Sequence, residues 1–108
     1  MTDIMQVISQ HFSQTMHFSP EATDHIMVKI RATLSRDMES LERTLRDGDR
    51  APVSAKLHKL KGDLSNIGLK DMADAVHALQ KDESLHSLEE LRQRVRALRQ
   101  ELAPLLDS

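Results

Sequence analysis

His58, Lys61 and Gly62 stand close together in the middle of this 108-residue chain. A neutral imidazole is a good nucleophile near pH 7, because its pKa lies close to that pH. Lys61 follows His58 by three residues, a spacing that places both side chains on one face of a helix. Its ammonium group can then approach phosphoryl oxygens held on the ring and offset their charge. These residue types and this spacing suit attack on phosphorus by the histidine.

Gly62 follows His58 by four residues, one helical turn on, where a larger side chain would shade the ring. A glycine inside a helix costs about 1 kcal/mol relative to alanine. We expect that the glycine is present despite this destabilisation because it leaves His58 accessible to a partner.

The segment around His58 predicts an amphipathic helix. At about 100° per residue, one narrow apolar stripe faces the core, formed by Val53, Leu57, Leu60, Leu64 and Ile67. His58 lies about 140° from the centre of that stripe. Lys61, Gly62 and Ser65 share its side, so we expect this side to face solvent.

Basic residues surround this segment in the sequence: Arg50, Lys56, Lys59, Lys61 and Lys70, against Asp49 and Asp63. A basic patch on a mildly acidic protein indicates an acidic partner surface. We predict that four residues contact the partner: Lys56, Lys59, Ser65 and Lys70.

Five helices must position these residues, because apolar residues recur at spacings of three and four along the chain. The first covers roughly Asp3 to Met16, and the second runs from the Ser19-Pro20 start signal to Asp47-Gly48. The third runs from about Ala51 to Ile67, and the fourth from Leu69 to Lys81-Asp82. The fifth opens on a capping box that pairs Ser87 with Glu90.

The predicted fold class is all-α, an antiparallel four-helix bundle with an additional N-terminal helix. Short loops favour antiparallel packing of successive helices. We expect one domain over residues 1–108, with the N-terminal helix in 1–17 and the bundle core in 19–107. Every apolar stripe can be buried within one chain, so we expect a monomer.

Composition excludes several classes of function. The absence of cysteine rules out thiolate catalysis and zinc–sulfur sites, and it fits a reducing cytoplasm. A net charge of -2 with a pI near 6.3 argues against nucleic-acid binding. No signal peptide opens the chain, and no apolar run reaches the roughly 20 residues of a membrane span.

The segment resembles the signature of the histidine-containing phosphotransfer (HPt) family. The matching stretches are His58-Lys59-Leu60-Lys61-Gly62 and Asn66-Ile67-Gly68-Leu69. The resemblance extends from about Ser19 to Leu102. It implies that His58 carries the phosphoryl group, that Lys61 is its charge partner, and that Gln80 hydrogen-bonds near the histidine. Asp63 departs from the family pattern, and we expect it to place a negative charge near the site.

The resemblance also implies a role and partners. The chain would accept a phosphoryl group from an aspartyl-phosphate receiver domain and pass it to another response regulator. The expected partners are these receiver domains and a hybrid sensor kinase. A carrier of this kind needs no cofactor and has no kinase activity of its own, and Mg²⁺ is expected on the partner receiver domain.

Three other functions remain open from the residues alone. The chain could be a helical adaptor that is never phosphorylated, or the phosphoacceptor domain of a chemotaxis-type kinase. The starting Met1 favours a free-standing protein over the latter. A metal-binding bundle would need inward-facing Glu-x-x-His pairs, and the sequence offers only Glu83 before His86, at a helix boundary.

Overall fold

A computed structural model describes residues 3–107, and no strand occurs among them. The all-α prediction is confirmed. The long helices are α1 (Ile4–Gln10), α2 (Pro20–Arg46), α3 (Val53–Asn66), α4 (Lys70–Lys81) and α5 (Leu88–Leu106). A π-helical turn, His11–Thr15, continues α1, and a 3₁₀ turn, Glu83–Leu85, precedes α5. No helix in this part of the chain is long and apolar enough to cross a bilayer.

The two helix starts predicted from serine residues are confirmed. The Ser19 hydroxyl accepts a hydrogen bond from the Ala22 amide at 3.1 Å and caps α2. Ser87 and Glu90 form the reciprocal capping box, with distances of 3.1 and 3.0 Å. Each bond satisfies an amide that the first helical turn leaves without an intrahelical partner.

The helices pack as antiparallel neighbours around one apolar core. The contacts between α2 and α5 show that these two helices run antiparallel, because later residues of α5 contact earlier residues of α2. Arg92 bonds the carbonyl of Leu45, and Arg31 bonds that of Leu105 at the other end. The core draws on every long helix: Ile8 in α1; Leu34, Met38, Leu41 and Leu45 in α2; Val53, Leu57, Leu60 and Leu64 in α3; Met72, Ala73 and Val76 in α4; and Leu91, Val95, Leu98, Leu102 and Leu105 in α5.

The N-terminal helix differs from the prediction in its last turn, which widens into a π-helix. The Met16 amide reaches the His11 carbonyl at 3.1 Å, and the Phe18 amide reaches that of Phe12 at 2.8 Å. Phe12 stays in the core and lies 5.5 Å from the Phe18 ring. Helical propensity and apolar spacing do not predict this wider turn.

Gly68, just beyond α3, supports this N-terminal segment. Its φ of +86° suits glycine, and a Cβ there would lie 2.6 Å from the Cβ of His11. Gly68 therefore both ends the helical segment of α3 and lets His11 pack closely against the backbone.

Two details near the α2–α3 loop were not predicted. α3 begins at Val53, since Ala51 and Pro52 form a turn. The Arg50 guanidinium donates to the carbonyls of Glu83 and His86 at 2.7 and 2.8 Å. Arg50 therefore ties this loop to the turn before α5, and its charge is engaged there.

Candidate functional site

The side of α3 that carries His58 is open to solvent. His58, Gly62 and Ser65 are exposed, whereas Leu57 and Leu60, on the core stripe, are fully buried. We call His58, Lys61, Gly62 and Ser65 the open flank of α3. The exposure predicted from the helical wheel is confirmed for His58, Gly62 and Ser65, whereas Lys61 is half-buried.

The space around His58 is unobstructed. A Cβ built on Gly62 would meet no atom within 4 Å, so a glycine is not needed there for packing. Within residues 3–107, no group forms a hydrogen bond to the His58 ring. Lys61, one turn away, is half-buried, and its ammonium forms no ion pair with any described residue. The open flank thus brings together an accessible imidazole and an uncommitted cation.

The opposite side of α3 faces α2 and carries Lys56, Lys59 and Asp63; we call these three residues the α2 flank. The Lys56 ammonium donates to the Ser40 hydroxyl. The Lys59 ammonium donates to both carboxylate oxygens of Asp37, at 2.8 and 3.0 Å. These bonds confirm that α2 and α3 run antiparallel.

The α2 flank places Lys56 and Lys59 on the side of α3 away from Lys61. Lys56 and Lys59 are close to the histidine in sequence, yet their ammonium groups reach across the α2–α3 contact to polar atoms of α2. On a helix, residues at 56 and 59 fall on the other side of the apolar stripe from residue 61. Contact with a partner stays a prediction for both lysines.

Asp63 belongs to the same contact, so the expected negative charge near His58 is corrected. Burial, a hydrogen bond with Asp37 and the charge of Asp37 together raise the pKa of Asp63 to about 7. Asp63 Oδ2 is buried and receives no hydrogen bond from the described residues. Two carboxylates bond only when one carries a proton, which Asp63 then donates to Asp37.

Asp37 is the charged partner in this pair, and only 8% of its surface is exposed. Burial opposes its ionisation, but the hydrogen bonds from Asp63 and Lys59 outweigh burial and hold the pKa of Asp37 below its ordinary value. Below the raised pKa of about 7, Asp63 keeps its proton, and the α2–α3 contact then holds one proton between two carboxyl groups, with Lys59 balancing the remaining charge.

The other predicted site residues lie farther from the histidine. Ser65 is exposed two turns along the open flank, about 10 Å from His58 along the axis at 1.5 Å per residue. Lys70 is exposed at the start of α4, beyond the end of α3. The end of α3 itself lies about 12 Å from His58 along the helix axis, at 1.5 Å per residue. Lys70 is thus at one end of the bundle, and its contact with a partner stays a prediction.

Gln80 forms no hydrogen bond with any described residue. Its side chain lies half-buried on α4, and its amide oxygen is buried with no partner among the described residues. The residue is thus available for such a bond but is not committed to one. Its role at the site stays a prediction.

Nothing in residues 3–107 gathers three His, Asp or Glu side chains as metal ligands. The single Glu-x-x-His pair serves other contacts: the Glu83 carboxylate lies 3.6 Å from Arg50, and His86 Nδ1 lies 3.5 Å from Glu90. These contacts account for both side chains without a metal.

Comparison with known proteins identifies the family. A sequence model of the Hpt domain matches residues 25–107, more than three quarters of the chain. No curated protein and no solved structure gives a significant match. Hpt domains are phosphocarrier modules, not kinases, and interact with receiver domains and kinases. The chain belongs to the Hpt domain family, whose members transfer phosphoryl groups through histidine in phosphorelays.

Proposed function

We propose that His58 is the phosphoryl acceptor and that this chain shuttles the group between two receiver domains. The observation that carries the proposal is the open flank, where an exposed imidazole stands beside open space at Gly62 and the uncommitted ammonium of Lys61. The five other histidines lack this combination, since none of them is followed by a lysine at three residues or by a glycine at four.

The transfer step balances without an external acid or base. The lone pair of the unprotonated ring nitrogen of His58 attacks the phosphorus of an aspartyl phosphate. A new N–P bond forms as the P–O bond to the aspartate breaks, and the electron pair leaves with the carboxylate. The other ring nitrogen keeps its proton, and the reverse step delivers the group to a second receiver aspartate.

Lys61 assists by charge. Three residues along the same helix, its ammonium can reach the oxygens of a phosphoryl group held on His58. The negative charge moving onto the ring is then offset, both during transfer and in the phosphorylated chain. Lys61 forms and breaks no bond itself, so its loss should slow the reaction rather than stop it.

Mg²⁺ belongs in this scheme to the receiver domain. The receiver holds the ion at its own phosphorylated aspartate, and this chain contributes the nucleophile and one cation. A hybrid sensor kinase would supply the first receiver domain. Because a single histidine serves both transfers, the two receivers must dock on the open flank in turn.

A two-stage labelling experiment tests the proposal. Radiolabelled phosphoryl receiver domain is mixed with this chain, the label on the chain is located by peptide mapping, and an unlabelled second receiver is added. We expect label on the peptide that contains His58, followed by its loss to the second receiver. A chain that takes no label from any of a panel of receivers, or takes it on another residue, would refute the assignment.

A further inference from the structure

A groove of about 320 Å³ runs between α2 and α5 and is distinct from the open flank of α3. Its floor is apolar, since Leu45 and Val95 are almost completely buried. Its walls are charged, with Glu42 and Arg46 contributed by α2 and Arg92 and Arg96 contributed by α5. The proposed function of His58 makes no use of this groove.

The groove contains more positive than negative charge. Its only lining carboxylate, Glu42, is occupied by Arg99, which donates two hydrogen bonds of 2.7 Å to it. Arg46 and Arg96 are exposed, and neither forms an ion pair within residues 3–107. This excess stands out in a chain whose net charge is -2.

One of the guanidinium groups is already held in place. Arg92 donates from Nε to the carbonyl of Leu45 at 2.9 Å, which fixes the plane of the group at the groove wall. Its remaining contact is an exposed carboxylate, Glu89, at 3.5 Å. A fixed guanidinium loses less freedom when it binds a ligand, so the groove is partly organised for an anionic partner.

The spacing of the arginines indicates the form of that partner. Arg92 and Arg96 lie one turn apart on α5, about 6 Å along its axis. A guanidinium pairs with a carboxylate through two parallel hydrogen bonds. A helix with carboxylates at positions i and i+4 presents the matching spacing. We propose that the α2–α5 groove is a second docking surface, which binds an acidic helical segment of a partner protein.

Other anionic ligands fit the groove less well. The chain has two aromatic residues, Phe12 and Phe18, and neither lines the groove, so no ring is available to stack on a nucleic-acid base. The exposed large apolar residues among those described, Met16, Val28 and Leu85, also lie outside it, so no side chain there can insert into a bilayer.

The test is peptide binding to the intact chain, measured by fluorescence anisotropy. The probe is a synthetic helical peptide with glutamates at i and i+4, and the matched probe carries glutamines there. Arg96→Glu and Arg46→Glu change the groove from opposite helices. Arg94→Glu is the matched control, since Arg94 is an exposed arginine of α5 that lines the α4–α5 side instead.

We expect saturable binding of the glutamate peptide that each groove variant weakens about tenfold or more. Arg94→Glu should change the affinity less than twofold. Melting curves confirm that the variants are folded, as expected for exposed side chains without hydrogen bonds. The readout does not involve His58, so the result is independent of the proposed phosphotransfer.

Three results would overturn the proposal: no saturable binding, equal weakening by all three substitutions, or equal affinity for the glutamine peptide. Tighter binding of a single-stranded oligonucleotide or of anionic phospholipid vesicles, lost in Arg96→Glu, would do so as well. That last result would assign the groove to a different class of ligand.

Discussion

The two flanks of α3 use similar residues in opposite ways. The α2 flank has two lysines and an aspartate, and all three are engaged with side chains of α2. The open flank has a histidine and a lysine without such partners, beside a glycine whose surroundings are empty. The polar side chains of the α2 flank are bonded to α2, whereas those of the open flank remain available to a partner.

This difference shows what a carrier helix requires. A nucleophile that meets two large partners in turn must be exposed, so few contacts of its own can hold it in position. The buried leucines Leu57, Leu60 and Leu64 fix the orientation of the helix about its own axis, and the bonds of Lys56 and Lys59 to α2 add to that packing. That fixed orientation presents His58 to solvent without any hydrogen bond to the ring itself.

The largest effect should come from removing the nucleophile. His58→Gln should abolish acceptance of the phosphoryl group and leave the fold intact, because the ring is exposed and makes no hydrogen bond to the described residues. The measurement is radiolabel transfer from a phosphorylated receiver domain. His77→Gln, an exposed histidine of α4, is the matched control and should label as the wild type does. Full labelling of the His58 variant would refute the assignment.

The next largest effect should come from filling the space beside His58. Gly62→Leu should impair transfer strongly, because the new side chain stands one turn from the ring and obstructs a docking receiver. Stability should stay equal or rise by up to about 1 kcal/mol, since leucine favours the helix and a Cβ meets no atom within 4 Å. Transfer kinetics and melting temperature, measured together, test both parts.

Gly62→Ala is the graded control for this prediction, and it should gain stability while keeping most of the transfer rate. An unfolded Gly62→Leu chain would show that the glycine is needed for packing. A folded Gly62→Leu chain with normal transfer would show that access to His58 does not depend on this position.

A lysine on each flank gives the third test. Lys61→Ala should slow transfer by the loss of about 1–3 kcal/mol of transition-state stabilisation. Lys59→Ala should leave the rate nearly unchanged but lower the free energy of unfolding by about 1–2 kcal/mol, because buried Asp37 loses its cation. Single-turnover transfer and denaturant unfolding separate the two outcomes. If Lys59→Ala slows transfer and Lys61→Ala lowers the stability instead, the assignment of the two lysines to the two flanks is wrong.

The sequence predicted the open flank because one helical period determines it. Once Leu57, Leu60 and Leu64 face the core, the positions of His58 and Gly62 follow from geometry alone. The serine caps of α2 and α5 were equally predictable, since their bonds are local.

The partners of Lys59 and Asp63 could not be predicted in the same way. Asp37 lies more than twenty residues before them, and only the register of α2 against α3 determines that they meet. The lysines are therefore clustered in the sequence, whereas the packing places Lys56 and Lys59 on the α2 flank and Lys61 on the open flank. The π-helical turn at His11–Thr15 was also missed, and its contacts with Phe18 and Gly68 are likewise distant from any local helix signal.

The smallest effect on transfer should come from Asp63→Asn, which tests whether the α2 flank holds a proton and not a second charge. The pKa of Asp63 is raised to about 7 in the folded chain, against 3.8 for an unperturbed carboxyl. At pH values between 3.8 and about 7, Asp63 retains its proton in the folded chain and releases it in the unfolded chain. Stability from this group is therefore complete below about pH 4 and is lost as the pH rises through 7.

An asparagine at position 63 stays neutral at every pH, and its amide can still donate a hydrogen bond to Asp37. Asp63→Asn should therefore match the wild type near pH 4 and exceed its stability at pH 8 by about 1–2 kcal/mol, a value reduced for the partial exposure of the side chain. Denaturant unfolding at the two pH values measures this difference, with Asp74→Asn, an exposed carboxylate on α4, as control. An equal stability change at both pH values would mean that no proton is shared with Asp37. The transfer rate should not change, because the α2 flank positions the helix while the open flank meets the receiver.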